Sequence, residues 1–448
     1  MAQISCRLLH AVIFCDPYDY YGASGVIDCI DEFLFDKPLL LIGEDGANLI
    51  NCSTPIAFIA QGQYWVNNHA HVLDGISLDF LRYIELHINA IDLKPFVTGT
   101  AQPKMNQAKM NSIPIAVPPL AEQRRIVGKV EQLLGLCDEL ASRQESRRAA
   151  RERLVVATLD RLTSPSAAAE SASHAQRLQD HFDLLFDTPT TIPHLRQAIL
   201  QLAVQGQLVP QDPNDGPVTG CDSDVIRDSE KLPLLPTTWK YRRATEVIAE
   251  GTVISYGIVL PGPNQAEGVP YIRGQDIDDA GNIHVEQLWK TTSQIAAKHR
   301  RSELLEGDVL LCVIRHLRSA VVPKGLDGAN LTQGTVRLRP SCEMFGPYLA
   351  WYFASPSAQR WMKTQYTGMS MPRINVAHAR AIPIALPPLT EQKRIVSKVT
   401  ELLSLCDALE SQIQATESAS TQLLSAAVLQ LLSTDSREGA KPRRELPA

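Results

Sequence analysis

Ile113-Pro-Ile-Ala-Val-Pro-Pro-Leu-Ala-Glu-Gln-Arg-Arg-Ile-Val127 recurs as Ile382-Pro-Ile-Ala-Leu-Pro-Pro-Leu-Thr-Glu-Gln-Lys-Arg-Ile-Val396. The two stretches lie 382 − 113 = 269 residues apart, and the register continues forward without a gap. Lys129-Val130, Leu133-Leu134 and Leu136-Cys137-Asp138 match Lys398-Val399, Leu402-Leu403 and Leu405-Cys406-Asp407. It also continues backward: Thr98-Gly99 pairs with Thr367-Gly368, Pro103-Lys104 with Pro372-Arg373, and Asn106 with Asn375. One repeat distance over so many pairs marks a duplicated unit rather than a string of unrelated domains.

Each copy is predicted to end in a long helix opened after a double proline. Glu122 falls in the first turn, where the helix dipole favours negative charge. Apolar residues follow at Ile126, Val130, Leu133, Cys137 and Leu140, in alternating steps of four and three, and again at Ile395, Val399, Leu402, Cys406, Leu409 and Ile413. Such a heptad seam belongs to helices that pair along their length. The alternative is that each helix lies on its own domain's core; the matched seams favour mutual pairing. The helices are expected to reach Arg161 and Leu432, roughly 40 residues and 60 Å each.

Other segments read locally. Ser164-Pro-Ser-Ala-Ala-Ala-Glu-Ser-Ala-Ser173 is small and polar, as a flexible link is. Ile192 to Leu208 is helical in pattern, Gln211 to Ser229 reads as a loop, and the charged tail after Ser433 as disordered. Leu39 to Ile42 and Asp308 to Ile314 are short apolar runs suited to buried strands. Thr335 to Arg339 alternates, which predicts a strand with Arg337 and Arg339 on a basic outer edge. Gly346 to Gln365 has a helical pattern. Each copy is thus a mixed α/β globule followed by a long helix.

The chain has 448 residues, with 44% hydrophobic and 21% charged side chains, the usage of an ordered globular protein. No apolar run approaches the roughly 20 residues that cross a bilayer. The nine cysteines are scattered singly without a Cys-x-x-Cys pair, which fits free thiols in a reducing cytoplasm. Net charge is −6, yet Lys290, Lys298, Arg300, Arg301, Arg315 and Arg318 face only Glu303, Glu306 and Asp308. Such a local patch attracts phosphate or is simply a solvated face.

Catalytic patterns are missing from the sequence. It has no phosphate-binding Gly-x-x-x-x-Gly-Lys-Ser/Thr loop and no His-Glu-x-x-His or Cys/His ligand spacing. Pro118-Pro119-Leu120 and Pro387-Pro388-Leu389 lack the polar residue before and the aromatic after that grip a flipped base. Recognition chemistry is better represented. Val97 to Asn106 and Tyr366 to Asn375 are equivalent loops of small, polar and basic residues, with Thr98, Gly99, Gln102, Lys104 and Asn106 in one and Thr367, Gly368, Ser370, Arg373 and Asn375 in the other. These suit phosphates and base edges; they suit equally a turn feeding the Ile-Pro-Ile strand. Tyr21, Gly22 and Ser24, and Asn68 and His69, are open to the same two readings, and a metal at His69 and His71 lacks a third ligand. Arg273, Gln275, Arg315, His316 and Gln333 complete the candidate DNA-binding set.

With these residues in view, the chain resembles the specificity subunits of type I restriction-modification enzymes. The doubled Ile-Pro-x-x-x-Pro-Pro-Leu-x-Glu-Gln-x-x-Ile-Val lead carries the resemblance. Gly22 to Asp28, Gly43 to Asn48 and Asn67 to Val72 resemble segments of one class of target-recognition domain, and Leu195 to Gln211 resembles the central connector. The resemblance implies an α+β chain, two α/β target-recognition domains separated by a long antiparallel, coiled-coil-like helical pair. The expected divisions are 1–118 for the first recognition domain, 119–163 for the first long helix and 164–231 for linker and connector. Residues 232–387 form the second recognition domain, 388–433 the second long helix and 434–448 a disordered tail. Implied partners are double-stranded DNA, two methyltransferase subunits held by the seam residues, and restriction subunits. S-adenosylmethionine, ATP and magnesium are expected on those partners, with no cofactor, metal or catalytic residue in this chain. One departure stands out: Leu232 to Trp239 resembles the family's opening, and its counterpart would precede Met1. The first domain is therefore expected to lack its opening strand.

Overall fold

The computed structural model describes residues 18–99, 102–164, 168–219, 226–227, 232–368 and 370–438, the backbone alone at 168–172 and 431–438. Met1 to Cys15, which were expected not to supply the family's opening strand, lie outside the described residues. The chain divides into two compact units, Met1–Arg147 and Arg148–Ala448.

In the first unit strands β1 (Tyr18–Gly22), β2 (Gly25–Ile30), β3 (Phe35–Asp36) and β6 (Gln63–Val66) form a sheet in the order β2-β1-β6-β3. A second sheet has β4 (Leu39–Gly43) between β5 (Ala57–Ala60) and β7 (Ala70–Leu73). The continuous apolar run of β4 has a direct cause, since both of its faces are covered. Leu40 and Ile42 pack with Leu81, Ile84 and Ile88 of the helix spanning Leu78–Ala90, while Leu39 and Leu41 pack with Tyr64 and Val66 of the other sheet. Truncating a side chain so placed costs about 2–5 kcal/mol. Helix α1 (Asn48–Asn51) is a single turn, and α2 (Leu78–Ala90) starts where Ser77 accepts a bond from the Phe80 N–H. Helix α3 (Gln107–Asn111) leads to α4 (Leu120–Thr163), within which the boundary between the units falls.

The second unit carries α5 (Ala168–Asp180), α6 (Phe182–Leu185) and α7 (Ile192–Val204). The Ser164–Ser173 run expected as a flexible link is thus helical from Ala168, because its alanines are the strongest helix formers. Strand β8 (Lys240–Arg243) pairs with β16 (Pro383–Leu386). Strands β10 (Val269–Ile272), β11 (Trp289–Thr291) and β14 (Asn330–Leu331) form one sheet, with α8 (Ser293–Lys298) following β11. Strands β9 (Ser255–Tyr256), β12 (Val309–Cys312), β13 (Ser319–Val321) and β15 (Thr335–Leu338) form another, ordered β13-β12-β15-β9. Helices α9 (Gly346–Ala354), α10 (Pro356–Thr364) and α11 (Val376–Ala381) precede β16, and α12 runs from Leu389 to Glu438. The tail expected to be disordered from 434 is thus helical as far as Glu438, and its remainder lies outside the described residues.

Strand β15 corrects the outer-edge reading. It is paired on both sides, and Arg337 is 5% exposed. Its guanidinium donates to the Glu303 carbonyl, while Arg339 makes a two-bond contact of 2.8 Å each with the buried Asp308. Burial lowers the pKa of Arg337; the Asp308 hydrogen bonds raise that of Arg339.

The Pro-Pro-Leu-x-Glu-Gln motif acts as a helix start. Gln123 folds back to donate to the Pro118 carbonyl at 2.7 Å, and Gln392 does the same to Pro387 at 2.9 Å. The buried Gln392 also accepts from the Phe345 N–H and donates to the Glu343 carbonyl. Glu391 is buried, accepting from the Trp239 indole at 2.9 Å and Gln211 at 2.5 Å. The two seams differ. Ile395, Val399 and Cys406 are buried in the core that includes Ile199 and Ala203 of α7, with Leu402 and Leu409 packed against it, and Arg196 of α7 bridges to Asp407 and Glu410. In the first copy Val130 is half-buried, whereas Ile126, Leu133, Cys137 and Leu140 are exposed. The second helix thus packs on the core of its own unit.

Candidate nucleic-acid interface

In the first unit the loop after Val97 closes on itself through main-chain bonds. The Thr98 N–H donates to the Lys104 carbonyl at 2.9 Å, the Lys104 N–H returns one at 2.8 Å, and the Thr98 hydroxyl adds a third at 3.1 Å. Gly99 has φ 86°, and a Cβ there would sit 2.6 Å from the Gln102 carbonyl, so only glycine closes this loop without strain. The loop is fastened to the end of β4 by Gly46 N–H to Pro103 at 3.0 Å and Met105 N–H to Glu44 at 2.7 Å.

The second unit repeats the arrangement at the same distance of 269. Thr367 and Arg373 exchange bonds of 2.9 and 3.0 Å, the Thr367 hydroxyl donates at 3.1 Å, and Gly368 has φ 89°. Arg315 N–H reaches Pro372 at 2.9 Å and Ile374 N–H reaches Val313 at 2.8 Å. The repeat distance therefore extends to Gly46 and Arg315. Both have positive φ, 110° and 63°. For an arginine that backbone costs about 1–2 kcal/mol; glycine adopts it freely.

Around these loops the structure gathers most of the candidate residues. In the first unit the Asn67 N–H donates to Tyr21, Asn67 Oδ1 accepts from the His69 N–H, and the His69 carbonyl accepts from Glu44. Tyr21, Gly22, Asn68, His69, Thr98, Gly99, Gln102 and Lys104 thus share one end of the unit; Ser24 is exposed in the β1–β2 turn, whose Ala23 carbonyl lies against Gly43. His69 and His71 turn to separate partners, the Asp45 carboxylate and the Met105 carbonyl. In the second unit Thr332 N–H bonds Ile272 and Val313 N–H bonds Gly334. These bonds bring the ends of β10, β12 and β14 together, and with them Arg273, Gln275, Arg315, His316, Gln333, Thr367, Gly368, Ser370 and Arg373. Asn106 and Asn375 act locally, since each side-chain oxygen caps a short helix at 2.9 Å.

The electrostatics separate the two ends. Lys104 is paired with Glu44 at 3.1 Å. Arg373, at the equivalent place, is exposed beside Val313 and has no ion pair among the described residues. The sequence patch from Lys290 to Arg318 is likewise divided. Arg318 is neutralised by Asp279, whereas Arg315 is exposed and unpaired among the described residues. Arg273 is held by Asp276 at 2.6 Å and lies 4.4 Å over the Trp289 ring, a guanidinium positioned by salt bridge and cation–π contact together. Burial pushes the Tyr21 and Tyr366 phenols upward in pKa, leaving both as neutral donors at physiological pH. Arg360 and Lys363, missed in the sequence, line a cleft of about 1210 Å³ with Arg315 and Tyr366. Their helix carries no repeat signature, so only the fold reveals the grouping. Among the described residues no cluster of three or more metal-binding side chains is present, and no helix is long and apolar enough to cross a membrane.

Comparison with known proteins follows the same division. The EcoEI specificity subunit of Escherichia coli, a type I restriction enzyme component, is 28% identical over 390 residues, 80% of this chain and 66% of its own length. The EcoAI specificity subunit of the same organism is 27% identical over 350 residues, 70% of this chain and 57% of that one. The chain spans less than two thirds of either relative. The crystal structure of the HsdS subunit from Thermoanaerobacter tengcongensis overlaps 86% of this chain and 80% of that chain, with 19% identity and a TM-score of 0.40. The family profile described as the type I restriction modification DNA specificity domain matches residues 14–147 and 236–416, once over each loop-bearing unit and well over half of the whole. A chain that carries the domain twice, with the same fastened loop in each copy, belongs to the type I restriction modification DNA specificity domain family.

Proposed function

We propose that this chain is the non-catalytic DNA reader of a type I restriction-modification complex, each unit reading one half of a bipartite site. The observation that supports this most is the loop built twice, hydrogen bond for hydrogen bond, with Lys104 exposed at one copy and Arg373 at the other. Two similar grips on one chain suit a split target. The long helices would dock methyltransferase subunits, with Leu133, Cys137 and Leu140 as the exposed apolar stripe available for that purpose. S-adenosylmethionine would sit on those partners, ATP and magnesium on restriction subunits.

The test is to map methylated adenines in cells with and without the chain, then to measure binding of the chain–methyltransferase complex to the recovered site. A single two-part motif and at least hundredfold preference over a shuffled duplex are expected. Equal affinity for both duplexes overturns the proposal.

One observation favours a second reading, a subunit that binds methyltransferase but reads only half a site. Pro383–Leu386 pairs with β8 and is buried, whereas Pro114–Val117 has no pairing strand among the described residues and is largely exposed. Methylation of a one-part motif would support it.

A further inference from the structure

The turn at residue 315 does not need an arginine. Among the described residues its bonds use only the main chain of this position: Arg315 N–H to Pro372 at 2.9 Å, and the Tyr366 hydroxyl to the Arg315 carbonyl at 3.4 Å. The first unit makes the first of these with Gly46, a residue suited to a positive φ. Keeping arginine there strains the backbone, so the side chain serves something outside the fold. That side chain is exposed, makes no ion pair among the described residues, and lines the cleft of the second unit. Arg360 and Lys363 line the same cleft, also exposed and without an ion pair among the described residues. The acidic side chain in the lining, Asp279, is already engaged by Arg318 at 2.6 Å. Three such cations around one cleft form a surface for a polyanion.

We infer that Arg315, Arg360 and Lys363 form a phosphate-gripping cleft for the backbone of a DNA duplex, with the left-handed turn at 315 retained to place the first of them. The inference takes its ligand from the DNA-reading function proposed above. The first unit grips less: Gly46 stands for Arg315, Ile91 for Arg360, and only Lys94 matches Lys363. The two units therefore hold DNA unequally, the second anchoring the backbone.

The experiment uses the full chain with its methyltransferase partner and a mixed-sequence duplex of about 40 base pairs, titrated by anisotropy from about 50 to 200 mM salt. Arg315→Gly is expected to keep or raise the melting midpoint, weaken binding about three- to tenfold and lower the slope of log affinity against log salt by about one. Arg315→Lys restores most of the slope, and Arg360→Gln lowers it by a similar amount. Unchanged affinity and slope in Arg315→Gly, or a lowered melting midpoint, overturns the inference. The duplex carries no target, so a complex that binds but cannot discriminate sequences overturns site reading alone and leaves this measurement intact. A parent complex that binds no duplex overturns both.

Discussion

Asp215 is a nearly buried carboxylate that accepts from Arg394 at 2.6 and 3.2 Å and from the Thr390 hydroxyl. The Arg394 hydrogen bonds, then the Thr390 one, hold its pKa below the ordinary 3.8. A depressed carboxylate contributes stability that is complete above 3.8 and vanishes as pH falls through the lower folded value. Asp215→Asn should thus melt below the wild type at pH 7 and 5, by about 1 kcal/mol given the partly exposed Arg394. Melting curves against pH should show the gap closing in acid; a gap constant to about pH 2 would contradict this. At this scale the sequence is least informative. Alternation assigned Arg337 to one face of a strand but could not reveal that this face is covered, with the Glu303 carbonyl accepting from the buried guanidinium. The positive φ of Arg315 was equally hidden, because a tertiary bond to Pro372 imposes it. Extending the repeat distance back to Gly46 would have hinted at it.

Elements were more legible, because their causes are local. Leu39–Ile42 and Asp308–Ile314 read as buried strands and contain Leu39–Ile42 of β4 and the whole of β12, and both long helices announced their starts through Pro-Pro-Leu-x-Glu-Gln. The structure adds the reason for the glutamine. Gln392 makes three side-chain bonds, to Phe345 N–H and to the Glu343 and Pro387 carbonyls, whereas among described residues Gln123 bonds Pro118 and leaves its buried oxygen unpaired. Gln392→Ala should therefore destabilise its unit by about 2–3 kcal/mol and Gln123→Ala by about 1 or less. Thermal unfolding of the two variants checks the order, and equal losses would refute it. The heptad seam marked the apolar face of each long helix correctly. Periodicity fixes which face of a helix is apolar but not what covers it; α7 and α9 take that place for α12. The alanine-rich run before His174 showed the same limit, since small and polar describes a linker and a helix surface alike.

For the molecule as a whole, duplication was the most readable feature and the best guide to organisation. If each unit reads its own half-site, Arg373→Ala should weaken recognition of one half-site about tenfold and spare the other, with Lys104→Ala acting on the opposite half. Half-site substitution in a binding assay separates the two; equal loss at both halves would disprove separate readers. The Thr98–Lys104 and Thr367–Arg373 fastenings have one more consequence. Every bond in them comes from main chain or a threonine hydroxyl, so the lysine or arginine can be exchanged without unmaking the frame. Evolution can edit each of these positions singly, keeping the shape while altering what the shape says.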